Sequence, residues 1–178
     1  MERNTSVKTF LLLLVIMQAS ICQQSGQIKR DAVALGYPVT FSSVRTHNGW
    51  DHGNNYVLDS CDGGHQVSCA WCAHNPIVGE WAKVSTFSPR LWTDIILQGR
   101  KDWNGWVKTF HLEFSEDGIN WVKYKYGISF QGNHDRNTRQ LLTLDPPIRA
   151  RSVKIVADSF NGLVCMRFAA LYLEEESC

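Results

Sequence analysis

Residues 106–126 read WVKTFHLEFSEDGINWVKYKY, and their periodicity decides the fold class. In an extended chain Phe110, Leu112 and Phe114 share one face, with Thr109, His111 and Glu113 on the other. Asp117-Gly118 supplies a turn. Val122, Tyr124 and Tyr126 then alternate against Trp121, Lys123 and Lys125, so the segment predicts a β-hairpin. The same two-residue period continues outward. EWAKVSTF (80–87) and TDIILQGR (93–100) fit strands. Beyond a break at Pro146-Pro147, ARSVKIVA and CMRFAALYLE predict two more, Val153 and Ile155 sharing one face and Met166, Phe168, Ala170 and Tyr172 another. No segment carries an apolar stripe at helical spacing, and there is no internal repeat. Short strands separated by turn signals predict an all-β sandwich or barrel.

The amino terminus points to export. Lys8 precedes an apolar run from Phe10 to Met17, followed by small or neutral residues at Ser20 and Cys22, the layout of a secretory signal over residues 1–22. The run is shorter than the about 20 residues a membrane span needs. The expected mature chain is therefore secreted and extracellular. Removing Glu2, Arg3 and Lys8 leaves 16 basic and 16 acidic side chains, so the net charge falls from +1 to zero. That balance argues against bulk electrostatic binding to nucleic acid or to an anionic surface. The polar stretch over 23–37, with a dibasic Lys29-Arg30 as a candidate processing site, reads as a solvated leader. A single domain is expected over 38–178.

A second stretch, SCAWCAHN (68–75), poses three chemistries. Cys69 and Cys72 have C-x-x-C spacing, with Cys61, His65 and His74 close by. A redox pair requires a thioredoxin-like βαβ setting, which an all-β chain lacks. A zinc site needs four of these groups to converge, and no second C-x-x-C or H-x-x-x-H frames them. In an exported domain the default is disulfides. Five cysteines follow residue 22, namely Cys61, Cys69, Cys72, Cys165 and Cys178. One is left over by any pairing, which points to an intermolecular bridge and a disulfide-linked homo-oligomer.

Catalysis is not expected. His111 and Glu113 share a strand face and His134 precedes Asp135, but no nucleophile or carboxylate pair stands at a readable spacing. Neither a glycine-rich phosphate loop nor a G-x-S-x-G elbow is present. Such residues on strands and loops read as solvated. No cofactor motif appears, and no spacing assigns calcium.

From GEWAKVSTFSPRLWTDIILQGR through WVKTFHLEFSEDGINWVKY, FQGNHDRNT, LDPPIRARSVKIV and CMRFAALYLEEESC, the chain resembles the discoidin domain, also called the coagulation factor V/VIII type C domain. The likeness runs from Val39, where VTFSSV matches the family's opening strand, to the carboxy terminus. It implies an eight-stranded jelly-roll β-sandwich with ligand-binding loops at one end. Two departures stand out: Ser85 takes the place of an acidic residue in EWAKVST, and no cysteine lies between Gln23 and Ser60. Family members with W-C-A and a later C-x-R join those cysteines, which here implies a Cys72–Cys165 pair. Cys61 and Cys69 then either close the intervening loop or offer a partner to Cys178.

Three polar-aromatic loops are the binding candidates: SSVRTHNGWDHGNN (42–55), SCDGGHQVSC (60–69) and QGRKDWNGW (98–106). The first offers Arg45, His47, Asn48, Trp50, Asp51, His52, Asn54 and Asn55. The third offers Arg100, Lys101, Asp102, Trp103 and Asn104. Aromatic rings beside directional hydrogen-bonding groups suit a sugar, which presents C–H faces and fixed hydroxyls. Extracellular glycans or glycoproteins are therefore the expected partners. Anionic phospholipid is the second expectation, since Trp50 and Trp103 are able to insert, although the neighbours are mostly uncharged or acidic. A matrix or receptor protein is the third. Of the other tryptophans, Trp106 is expected to pack back onto the sandwich, and Trp71 and Trp81 in or beside the core.

Overall fold

The structure is a computed structural model that describes residues 27–47, 50–51, 53–61 and 68–175; for His47, Trp50, Asp51 and Glu175 it describes the backbone alone. The expected signal over 1–22 and the expected leftover thiol at Cys178 lie outside the described residues. The chain divides into two compact units, Met1–Lys29 with Glu174–Cys178, and Arg30–Leu173. Of the first, only the strand ends 27–29 and 174–175 are described. The second holds the core.

Eleven strands occur among the described residues: β1 (Gln27–Asp31), β2 (Val39–Phe41), β3 (Thr46–His47), β4 (Trp50–Asp51), β5 (Trp71–Cys72), β6 (Trp81–Gln98), β7 (Trp106–Ser115), β8 (Val122–Lys123), β9 (Phe130–Gln131), β10 (Gln140–Asn161) and β11 (Cys165–Glu175). Nine form one sheet in the order β1-β11-β6-β10-β7-β8, with β2 on β6, β5 on β11 and β9 on β7, while β3 and β4 pair separately. The architecture is an all-β sandwich.

Register explains why the alternating pattern works. Val153 of β10 lies opposite Val84 of β6 and Phe114 of β7, and Ile155 opposite Ala82 and Leu112. All six side chains are buried, so two apolar rows cross three strands on one face. The intervening row, Lys83, Lys154 and Glu113, points the other way, and Lys154 meets Glu113 at 3.1 Å. Met166, Phe168, Ala170 and Tyr172 are all in the core, joined by Trp71 and Trp92. Phe41 of β2 stacks on Trp71 with ring centroids 4.7 Å apart. Trp81 is half-buried on the outer face, where Lys83 and Lys154 lie over its ring at 5.8 and 5.2 Å.

The structure corrects four expectations. EWAKVSTF and TDIILQGR belong to one continuous strand, β6. Pro146-Pro147 does not end a strand: β10 runs through it, with a register shift between Thr143 and Ile148 that absorbs the missing N–H groups. WVKYKYG leaves the sheet after Lys123. Lys125 and Tyr126 take positive φ, so Tyr124 turns into the core while Val122 and Tyr126 face solvent. Finally, residues 27–37 are not a solvated leader. Ala32 is fully buried and its N–H donates to the Ala170 carbonyl at 3.0 Å; Val33 is buried beside it. Tyr37 packs on Tyr172 and Phe87. The apolar run Ala32–Leu35 is too short to show a period, so the stretch gave no strand or core signal.

A chain beginning at Pro38 is therefore expected to lose about 2–4 kcal/mol of stability relative to one beginning at Gln27, from the apolar surface of Ala32, Val33 and Tyr37 left uncovered. Urea unfolding of the two chains checks this, and equal midpoints would return residues 27–37 to a leader.

Candidate functional site

The three loops meet at a disulfide. β5 pairs with β11 so that Cys72 lies opposite Cys165 and Trp71 opposite Met166. Cys72 and Cys165 are bonded, with Cα atoms 4.1 Å apart, and both are fully buried. Cys61 and Cys69 form a second bond that closes the middle loop, Cα atoms 4.5 Å apart. No described cysteine is free, so Cys61, Cys69 and Cys72 offer no thiolate to a metal or a redox partner. Among the described residues no group of three or more His, Cys, Asp or Glu side chains converges to hold a metal ion.

The first loop is tied to this bond through its backbone. The Arg45 N–H donates to the Cys72 carbonyl at 2.9 Å, and the Trp71 indole N–H to the Ser43 carbonyl at 2.9 Å. The Ser43 hydroxyl accepts the His74 N–H at 2.9 Å and donates to Glu80 at 2.8 Å. Beyond Arg45 the chain forms the β3–β4 hairpin, with Thr46 opposite Asp51 and His47 opposite Trp50.

The third loop is folded around a buried cation. Arg100 forks onto Asp102, Nε to Oδ1 at 2.8 Å and a terminal nitrogen to Oδ2 at 2.7 Å. Asp102 Oδ1 also accepts the Cys69 N–H at 3.1 Å, joining the third loop to the second. The Arg100 N–H donates to the Gly105 carbonyl at 2.8 Å and closes the loop at its neck. Gly105 lies directly on the disulfide: a Cβ there would stand 3.1 Å from Cys165 Sγ and 3.4 Å from the Trp103 ring. Burial opposes ionisation of Asp102, but the hydrogen bonds and charge of Arg100 and the Cys69 N–H outweigh it and hold the carboxyl below its ordinary value. Beneath the loop, the buried Arg167 donates to the carbonyls of Gly99 and Arg136, each at 2.9 Å, and to Asn137 Oδ1 at 3.1 Å. Burial lowers its pKa, while the charges of Asp59 and Asp102 work against that shift.

These contacts sort the expected ligand groups. Trp103 is 46 % exposed, with the Arg100 guanidinium 6.0 Å from its ring centroid. Lys101 and Asn54 face solvent. Asn104 is exposed, and its Oδ1 accepts from Arg136 Nε at 2.8 Å. Arg100, by contrast, is only 8 % exposed and Asn55 likewise, the latter donating to the Ser68 carbonyl at 2.8 Å. Both are struts inside the loops: Arg100 forks onto Asp102, and the Asn55 amide holds the Ser68 carbonyl. Arg45 is half-buried, with a guanidinium nitrogen 3.4 Å from the His74 carbonyl. Asn48 and His52 lie outside the described residues, as do the side chains of His47, Trp50 and Asp51. Sequence reasoning passed over Arg136 and Arg167. A lone arginine in the otherwise apolar run CMRFAALYL was the signal for the second.

On the outer sheet face His111 and Glu113 are not solvated singly. His111 Nδ1 lies 2.6 Å from Asp158, which also accepts from Ser129 at 2.6 Å, and Glu113 pairs with Lys154.

A rigid β-sandwich with disulfide-anchored loops at one end defines a loop-binding domain. Residues 38–169 match the F5/8 type C domain, and the chain belongs to that family, the discoidin domains. It is 35 % identical over 83 residues to discoidin-2 of Dictyostelium discoideum, covering 47 % of this chain and 32 % of that one. It is 28 % identical over 155 residues to lactadherin of Mus musculus, covering 84 % and 33 %. The matched part thus spans well under half the length of either relative. The native structure of discoidin II from Dictyostelium discoideum superposes with a TM-score of 0.76 at 25 % identity, covering 85 % of this chain and 61 % of that one. Discoidin domains are non-catalytic binding modules, and residues 38–169 form one.

Replacing Asp102 with alanine strands the buried Arg100 charge and is expected to cost about 3 kcal/mol in urea unfolding. Because the folded-state pKa of Asp102 lies below its ordinary 3.8, its contribution is complete above that pH and is lost as pH falls through the folded value. The unaltered protein should therefore lose stability below about pH 4 more steeply than Asp102→Asn. Parallel pH profiles would contradict the assignment.

Proposed function

We propose that the chain is a secreted, lectin-like adhesion module that binds extracellular glycans through its loop end. The observation that carries this reading is Trp103, a half-exposed indole on a loop whose buried cation is already neutralised by Asp102. A flat ring held in place by its own loop is suited to the C–H face of a sugar. Asn104 follows it in sequence, Arg136 donates to the Asn104 side chain, and both supply hydroxyl partners. Family membership supports an adhesive role toward carbohydrate or lipid. The sequence of residues 1–22 supports export.

The second reading is peripheral binding to anionic phospholipid, favoured by an exposed Lys101 on the same loop as the exposed Trp103. A glycan array and phosphatidylserine vesicles, each probed with the unaltered protein, Trp103→Ala and Lys101→Ala, separate the two. Glycan binding should fall about tenfold or more in Trp103→Ala, the cost of losing one stacked aromatic contact, and change little in Lys101→Ala. Salt-sensitive vesicle binding that both substitutions abolish, with no glycan bound, would replace the first reading by the second.

A further inference from the structure

We propose a second binding site, for an anionic sugar, in a cleft on the flank of the sheet between β7, β9 and the end of β10. The cleft arises from paired irregularities. The β10–β7 register steps from Ala157↔Phe110 to Ser159↔Thr109 to Phe160↔Val107, leaving Asp158 on one strand and Lys108 on the other unpaired. Such bulges re-aim side chains, and Lys108 is exposed. The segment after β9 then lies against the bulge: the Gly132 N–H donates to the Lys108 carbonyl at 2.7 Å and the Asn133 N–H to the Val107 carbonyl at 2.8 Å. Gly132 is required there, since a Cβ would stand 2.6 Å from the Val107 oxygen. The result is an open cleft of about 420 Å³ whose walls include Trp106, Lys108, Gln131, Asn133, His134 and Gln140.

Three properties of this cleft point to a polyhydroxylated anion. First, four of its hydrogen-bonding side chains are unspent, while Thr109 and Asn161 are bonded to Ser159 and the Asn104 carbonyl. Among the described residues, neither the Trp106 indole N–H, the Lys108 ammonium, nor the side-chain amides of Gln131 and Gln140 has a hydrogen-bond partner. Second, Asn133 is 3 % exposed and donates its amide to the carbonyls of Leu97 at 3.1 Å and Thr138 at 2.7 Å, which leaves Oδ1 with no donor among the described residues. Buried acceptors of this kind are ordinarily satisfied, and Asn133 belongs to the wall of the cleft. Third, the lining carries an ammonium and no opposing charge. Lys108 and His134 are the ionisable side chains of the lining, which contains no carboxylate. Asp135, 3.5 Å from His134, is engaged by the N–H groups of Asn137 and Thr138 and by the Thr138 hydroxyl, and Asp158 by His111 and Ser129. An ammonium, carboxamides and an indole edge match the carboxylate or sulfate, hydroxyls and C–H face of an acidic pyranose.

This site does not depend on Trp103. Amide NMR titration of the full mature chain with methyl glucuronide, galactose 6-sulfate and neutral methyl galactoside tests it. Both anionic probes should give saturable shifts centred on Gln131–His134 and Gln140. Lys108→Ala, an exposed substitution that leaves the fold intact, should weaken that binding about tenfold, the worth of one charge-assisted hydrogen bond. Trp103→Ala should leave it unchanged. Shifts confined to the 99–105 loop, equal response to the neutral galactoside, or titrations unaffected by Lys108→Ala would each overturn the proposal. Loss of array binding in Trp103→Ala bears on the loop reading alone, so the two readings fail separately.

Discussion

The bond between Cys72 and Cys165 is the constraint on which the binding end of the molecule depends. It joins the two-residue strand β5 to β11, and each of the three loops rests on it. The first attaches through the Arg45 N–H on the Cys72 carbonyl, and the second ends at Cys69, three residues before it. The third presses Gly105 against the Cys165 sulfur. Linking residues 93 apart removes about 4–5 kcal/mol of chain entropy from the unfolded state in the loop-closure account. Its local effect matters more for function. Loops that carry few apolar side chains have no core of their own, and a covalent hub gives them a common reference point.

Charge completes what the disulfide begins. Arg100 and Arg167 are both buried, and each is satisfied within the loop end, one by a carboxylate and the other by three oxygens. A guanidinium fork holds backbone segments at fixed angles, which an ammonium does not. Burying them is costly unless every donor is matched, so the arrangement tolerates few alternative loop conformations. Trp103 is displayed on that frame rather than on a mobile tip, and binding then forfeits less conformational entropy.

The fold was legible because sheet register repeats the sequence period. Phe110, Leu112, Phe114, Val153 and Ile155 are buried as their alternation requires. Where local backbone chemistry interrupts the period, the reading failed: at Lys125 and Tyr126, whose positive φ ends β8, and at Pro146-Pro147, which a register shift accommodates. The loop end was legible in composition but not in role. Arg100, Asn55 and Trp103 look equally suited to a ligand in sequence, and only the partners of the first two reveal them as struts. The cleft beside Lys108 left no mark at all, since it is made by a register mismatch between strands 50 residues apart in sequence.

The account stands or falls on a preorganised loop end. Native-state hydrogen exchange of the unliganded protein tests that directly at the amides of Arg45, Cys69 and Arg100, whose acceptors are the Cys72 carbonyl, Asp102 and the Gly105 carbonyl. Protection approaching that of the β7 amides is the predicted result. Exchange of these three amides at the rates of an unstructured chain would show that the loops are not held, and would contradict it.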